Sequence, residues 1–296
     1  MLLPFQLLFN ENINIYLQSL GNPAADRFFI AITSAGSQPV YFLLATLIFW
    51  CFSKQTGIRL MYVVLFSASL SIFAKNLFAM PRPPEYLHKI QENGFGFPSG
   101  HAQVSSGCWG YLGWKIRDFF VIIAAVMIIS ISLSRVYLGV HYAGDVLGGI
   151  IFGLFIAFVF LRAELKVENI LKKLDNRSKF FFALIPPVIL VVLAALQQNL
   201  LENQIEIGLV MGSVSTGYLL EEKYVRLQDV KDNIIKLKRS LIGISLLLIV
   251  YFILKLLLSL NPIFIFFEYA VMGLASVLMA PLVFSRLEAN SKNRRQ

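Results

Sequence analysis

Charge is scarce in this sequence: Asp, Glu, Lys and Arg make up 15% of its 296 residues, while 57% are hydrophobic. A soluble globular domain carries about 25% charged and roughly 45–50% apolar residues, so both departures exclude an ordinary water-soluble chain and point to one solvated by lipid. Cysteine is nearly absent. Cys51 and Cys108 both fall inside apolar stretches, which argues against a disulfide framework and for two buried free thiols. The first apolar residues have no basic region ahead of them and are interrupted by Asn10, Glu11 and Asn12, so a cleaved signal peptide is not expected. There is no short repeat, Gly/Ser linker or low-complexity run, and the loops leave no room for a soluble domain, so the chain reads as one membrane-embedded unit.

What is present is a succession of apolar runs, near 39–53, 58–78, 99–114, 119–134, 144–162, 180–198, 205–221, 240–259 and 262–284. They predict an all-α, polytopic membrane bundle of about nine helices. Residues 39–198 form a six-span core, and 199–296 a C-terminal extension of about three spans with a basic tail. Within 1–38, Leu7, Leu8, Ile13, Ile15, Leu17 and Leu20 alternate with Asn and Gln, a pattern expected of helices lying along the interface. The net charge of +9 follows the topology. Alternating loops place 20 of the 26 Lys and Arg on one side, which the positive-inside rule makes cytoplasmic, with the N-terminal segment outside and the C-terminus inside. The basic loops are scattered and have no aromatic platform, so nucleic acid is not an expected partner.

Five basic residues remain on the outer side, and most of them fall with two of the three histidines in three short clusters. Lys75 closes the second run and precedes Arg82-Pro83, where proline should take Arg82 out of the helix. Pro98-Ser99-Gly100-His101 opens the third run, and Ser134-Arg135 leads through His141 to Asp145 between the fourth and fifth. Lys75, Arg82 and Arg135 supply a point charge and two planar forks, the donor set suited to a phosphate. Ser99 and Gly100 stand at a helix start, where amide groups and the Ser hydroxyl can meet an anion. One histidine can attack phosphorus as a neutral imidazole while the other gives a proton to the leaving oxygen. Asp145, four residues after His141, can hold its tautomer and stabilise its developing charge. Three cations and backbone amides balance the phosphate charge, so no metal or cofactor is expected.

These clusters match K-x(6)-R-P, P-S-G-H and S-R-x(5)-H-x(3)-D at every fixed position, and so the sequence resembles the type-2 phosphatidic acid phosphatase superfamily. The motifs cover residues 75–145. The resemblance implies that Lys75, Arg82, Ser99, Gly100 and Arg135 bind phosphate and that His141 is the nucleophile of a phosphohistidine. It makes Asp145 the partner of His141, and His101 first the acid for the leaving group and then the base for water. The nine-span layout is similar to the glucose-6-phosphatase branch, although architecture is shared more readily than substrate.

The implied function is an integral-membrane, metal-independent phosphatase acting on a phospholipid, lipid A or an isoprenoid (di)phosphate. Its site would lie on the extracytoplasmic face of a bacterial inner membrane. Alternatives are a phosphotransferase between lipids, a sugar-phosphate phosphatase and a non-catalytic lipid phosphate transporter. Against the transporter, the polar clusters have no counterpart in the second half of the chain. The last three spans are candidates to widen a lateral entrance, form a homo-oligomer face or hold a partner.

Several polar residues have plainer readings. His88 sits in a polar loop as a candidate head-group contact. Glu85, Lys89 and Glu92 share that loop, where they are expected to be solvated, with a part in substrate choice as the sharper reading. Lys255 and Glu268 are either a salt bridge between helices or a ligand contact. The charged run 164–175 reads as a solvated cytoplasmic helix.

Overall fold

The structure is a computed structural model that describes residues 7–195, 201–260 and 264–293. These residues contain no strand. The helices are α1 (Asn12–Ser19), α2 (Pro23–Ala35), α3 (Gln38–Cys51), α4 (Lys54–Phe78), α5 (Gly100–Ile116), α6 (Phe119–Tyr137), α7 (Ala143–Lys173), α8 (Asn176–Ala195), α9 (Leu201–Leu220), α10 (Asn233–Leu260), α11 (Phe264–Leu274) and α12 (Ala280–Asn293). The charged stretch after residue 162 is not a separate helix but the last turns of α7, which runs for 31 residues.

Among the described residues, five segments are long and apolar enough to cross a membrane: α4, α6, α7, α10 up to Ser259, and Phe267–Asn290. A sixth span arises if α2 and α3, bent by 53°, count as one. By length and composition, the described residues thus supply five to six of the nine expected spans. α5 has only 17 residues and falls short. The exposed side chains fit a lipid solvent: Val121, Ile122, Val126, Ile129 and Leu133 run along α6 at 40–62% exposure. Such a stripe would be an aggregation liability in water and is ordinary against acyl chains. The chain is an integral membrane protein.

Two compact units divide it, one formed by the residues up to Phe42 with Val63–Lys166, the other by Leu43–Tyr62 with the chain from Val167 onward. In the first, α7 approaches α5 through small residues. A Cβ on Gly153 would lie 2.2 Å from Gln103 O, and one on Gly149 2.6 Å from Ser99 O, so only hydrogen fits at either position. α2 starts on Asn22, whose Oδ1 accepts from Ala24 and Ala25 N–H, with Pro23 in the first helical position.

In the second unit, Lys54 Nζ reaches the buried Glu221 at 2.7 Å, and Arg239 makes a two-pronged pair with Glu288 at 2.8 and 3.0 Å. A π-helical turn, Ala275–Met279, links α11 to α12, and Trp50 Nε1 donates to Ser276 O within it at 2.7 Å. Lys255 and Glu268 form a salt bridge at 3.0 Å, which decides between their two sequence readings. Cys51 and Cys108 are buried and unpaired with each other.

Candidate active site

Six of the eight residues singled out by sequence line one cavity of about 300 Å³ in the first unit: Lys75, Arg82, Gly100, His101, Arg135 and His141. Each is delivered by a helix end or a turn. Lys75 stands in the last turn of α4 and Arg135 in the last turn of α6. Arg82 lies beyond the helix, as the prolines on either side of it require, and Gly100 and His101 open α5. The break between α2 and α3 adds Gly36–Pro39 to the wall. Asp145 and Ser99, both fully buried, lie behind this lining.

His141 is held from both sides. Arg82 Nη1 stands 3.1 Å from its Nε2, and since a guanidinium only donates, Nε2 is the accepting nitrogen. The proton therefore resides on Nδ1, which faces Asp145 Oδ2 at 3.3 Å. The same carboxylate oxygen accepts the Tyr142 N–H at 2.9 Å, fixing its position at the start of α7. The lone pair of a neutral imidazole is thus aimed at the cationic cavity. Burial, then the charges of Lys75, Arg135 and Arg82, hold the His141 pKa well below the ordinary value of 6.5.

A depressed pKa keeps the lone pair free as pH falls through the usual imidazole range, because protonation sets in only at lower pH. Corrected for the substrate's own ionisation, kcat/KM is expected to show no loss as pH falls from 7.5 to about 6.5, with its acid limb lower still. A limb centred at 6.5 or above, measured in a pH–rate profile, would contradict this assignment.

All three cations are already engaged. Lys75 Nζ donates to Phe95 O at 2.6 Å and Gly96 O at 3.2 Å. Arg82 donates to Gly94 O at 3.0 Å, Asn93 O at 2.9 Å and Val140 O at 2.8 Å. Arg135 holds Thr33 Oγ1 at 2.8 Å and, through Nη2, the carboxylate of Glu92. The Ser99 amide, expected to face the anion, instead donates to Asp145 O at 2.9 Å, because α7 crosses α5 there at glycine distance. Among the described residues the buried Ser99 Oγ and Arg135 Nε have no partner, and each is a donor that a phosphate oxygen suits.

Glu92, expected in a solvated loop with a part in substrate choice as the sharper reading, lines the cavity because Arg135 and Arg82 draw it inward. Its loop neighbours are likewise occupied: His88 Nε2 is 2.9 Å from Pro83 O, and Lys89 pairs with Asp26 at 2.9 Å. On α1, Asn14 is fully buried and its Nδ2 donates to Val136 O at 2.8 Å and His141 O at 3.0 Å. One turn later, Gln18 Nε2 donates to Leu87 O and Tyr137 O, both at 2.8 Å. Two amides on one helical face thus tie down the turn that carries His141. That turn pivots on Gly139, at φ +74°, where a Cβ would meet Leu87 O at 1.9 Å.

Asn14→Leu keeps the volume but strands two buried carbonyls, at ~1–3 kcal/mol each. The expected result is a fall in kcat of roughly 10- to 100-fold with KM little changed, and a Gln18→Leu double variant that is less than additive. Steady-state kinetics of the four proteins would check it. An unchanged kcat would remove the positioning role of α1.

The profile of the PAP2 superfamily matches residues 56–168, and that of the PAP2 superfamily phosphatase transmembrane extension matches residues 205–292. The chain is 31% identical over 100 residues to phosphatidylglycerophosphatase B of Bacillus subtilis, covering 30% of this chain and 49% of that one. It is 29% identical over 132 residues to an undecaprenyl-diphosphatase of Sulfolobus acidocaldarius, covering 43% of this chain and 63% of that one. The chain thus spans about half to three-fifths of these relatives. Among solved structures, that of a transmembrane PAP2-type phosphatidylglycerolphosphate phosphatase from Bacillus subtilis is similar at 25% identity, covering 53% of this chain and 85% of that one with a TM-score of 0.48. The three clusters that meet at the cavity lie within residues 56–168, and the chain belongs to the PAP2 superfamily.

Proposed function

We propose that the protein is a metal-independent phosphatase that removes phosphate from a lipid, a phospholipid, lipid A or isoprenoid (di)phosphate, through a phosphohistidine on His141. The observation that carries this reading is the His141 Nε2 lone pair turned into a cavity that also holds Lys75, Arg82, Arg135 and His101. In the proposed reaction Nε2 attacks phosphorus and the P–O bond to the lipid breaks, while His101 gives its proton to the departing oxygen. Asp145 stabilises the imidazolium that forms, and the three cations stabilise the spread of charge on the phosphoryl oxygens. His101, now neutral, then takes a proton from water as the water oxygen attacks the phosphohistidine. Phosphate leaves, and both histidines return to their starting states.

A lipid substrate is supported by size and setting. A cavity of about 300 Å³ suits a phosphate head group and has no room for an acyl chain, which would stay in the bilayer. Leu77 and Phe78, 60% and 47% exposed at the end of α4, give such a chain an apolar rim. Two relatives are named for a phosphatidylglycerophosphate and an undecaprenyl diphosphate activity. The charge asymmetry of the loops supports a site on the extracytoplasmic side, with a cytoplasmic C-terminus.

The test is phosphate release by the purified protein in detergent with EDTA present, on undecaprenyl diphosphate, lipid A, phosphatidylglycerol phosphate, phosphatidic acid, sphingosine phosphate and glucose 6-phosphate. A strong preference for one lipid supports the reading and identifies the substrate. Activity only on glucose 6-phosphate, or only in the absence of chelator, would sink it. Silence from folded protein until a second lipid is supplied would replace the hydrolase by a phosphotransferase.

A further inference from the structure

The five residues Glu92–Gly96 engage every cation of the site. The carbonyls of Phe95 and Gly96 take Lys75, those of Asn93 and Gly94 take Arg82, and the Glu92 carboxylate takes Arg135 while standing 3.6 Å from Arg82 Nη2. Among the described residues, Glu92 is the one carboxylate in the cavity lining, with its side chain 26% exposed. Burial alone would raise its pKa, but Arg135 and then Arg82 outweigh this and hold the carboxyl ionised. A single negative charge thus rests on the two guanidinium forks that a phosphate needs.

We propose that Glu92 is a specificity-determining residue: a resident anion on Arg135 and Arg82 that a phosphomonoester displaces and a phosphodiester head group does not. The inference rests on the phosphate-site reading given above. A bilayer presents phosphodiesters at very high local concentration, each with one negative charge. Against a tethered carboxylate of the same charge, such a head group gains no electrostatic advantage at the forks. A terminal phosphate carries close to two charges at neutral pH and three unesterified oxygens, so it exceeds the carboxylate in both charge and contacts. It also offers an acceptor to the unpartnered Nε of Arg135, which lines the cavity. Its arrival releases Arg82 from His141 Nε2, so the nucleophile is uncovered as the correct head group seats. Discrimination here comes from a repulsive element as much as from an attractive one.

The experiment measures binding of inorganic phosphate, and its competition by phosphatidylglycerol in nanodiscs otherwise made of phosphatidylcholine, for the full-length protein and for Glu92→Gln, Glu92→Asp and Arg135→Gln. Glu92→Gln should bind phosphate at least 10-fold more tightly and become sensitive to phosphatidylglycerol, while Glu92→Asp stays close to the parent protein. Phosphate affinity unchanged or weakened in Glu92→Gln, with binding still lost in Arg135→Gln, overturns the proposal and leaves the phosphate site standing. Phosphate binding that is absent throughout, or indifferent to Arg135, removes the site reading and the proposal together. A second measurement covers a poorly folded Glu92→Gln: a bimane label on Asn93→Cys in the otherwise unchanged protein should change fluorescence on saturation with phosphate. It should not respond to phosphatidylglycerol, and equal responses to both would overturn the proposal.

Discussion

Replacing His141 with alanine is expected to lower kcat on the order of 10⁴-fold or more, with the protein still folded. His141 is 1% exposed and lies on a turn, not inside a helix, so the truncation leaves a small cavity and disturbs no regular element. Among the described residues no other group is placed to take over. His101 shares the cavity, but its proposed role is proton transfer, and Lys75 is held by two carbonyls. Phosphate affinity should change little, because Lys75, Arg82 and Arg135 remain. The checks are single-turnover kinetics beside phosphate binding. Activity within 100-fold of the parent protein would mean that water attacks phosphorus directly.

Asp145→Asn should cost about 10³-fold in kcat. Asp145 Oδ2 accepts from both His141 Nδ1 and the Tyr142 amide, while Oδ1 is buried without a partner among the described residues. An asparagine can place its oxygen on the two donors and its NH2 where Oδ1 was, so geometry and fold survive. What disappears is the negative charge beside an imidazole that turns cationic as phosphorus is attacked. The loss should therefore appear in kcat, with KM within a few-fold. A kcat within 10-fold of the parent would show that Asp145 only orients the ring.

The candidate residues were legible in the sequence as one cluster because their motifs depend on local spacing. Lys75 and Arg82 flank a helix end set by proline, and His141 and Asp145 stand one turn apart at the mouth of α7. What spacing could not reveal was their company. Asn14 meets Val136 and His141 across more than a hundred residues, and Thr33 meets Arg135 across a similar gap. The available signal was two amides at i and i+4 on an apolar helix, which also fits a helix lying in the head-group layer. Glu92 looked like loop solvation because loop carboxylates usually are solvated, and only folding brings two guanidinium groups to it. The count of spans was less legible, since apolar runs mark burial as readily as membrane crossing. α5, with Ala102, Val104, Cys108 and Tyr111 fully buried, is a short helix enclosed by protein.

The most direct test of the central claim is to quench the enzyme during turnover on its lipid substrate without acid and map phosphorylation by mass spectrometry. The mechanism requires a phosphoryl group on His141, absent from His141→Ala and accumulating when His101→Ala slows the attack of water. A rapidly turning-over enzyme with phosphate on another residue, or with none on His141 even in the His101→Ala protein, would contradict it.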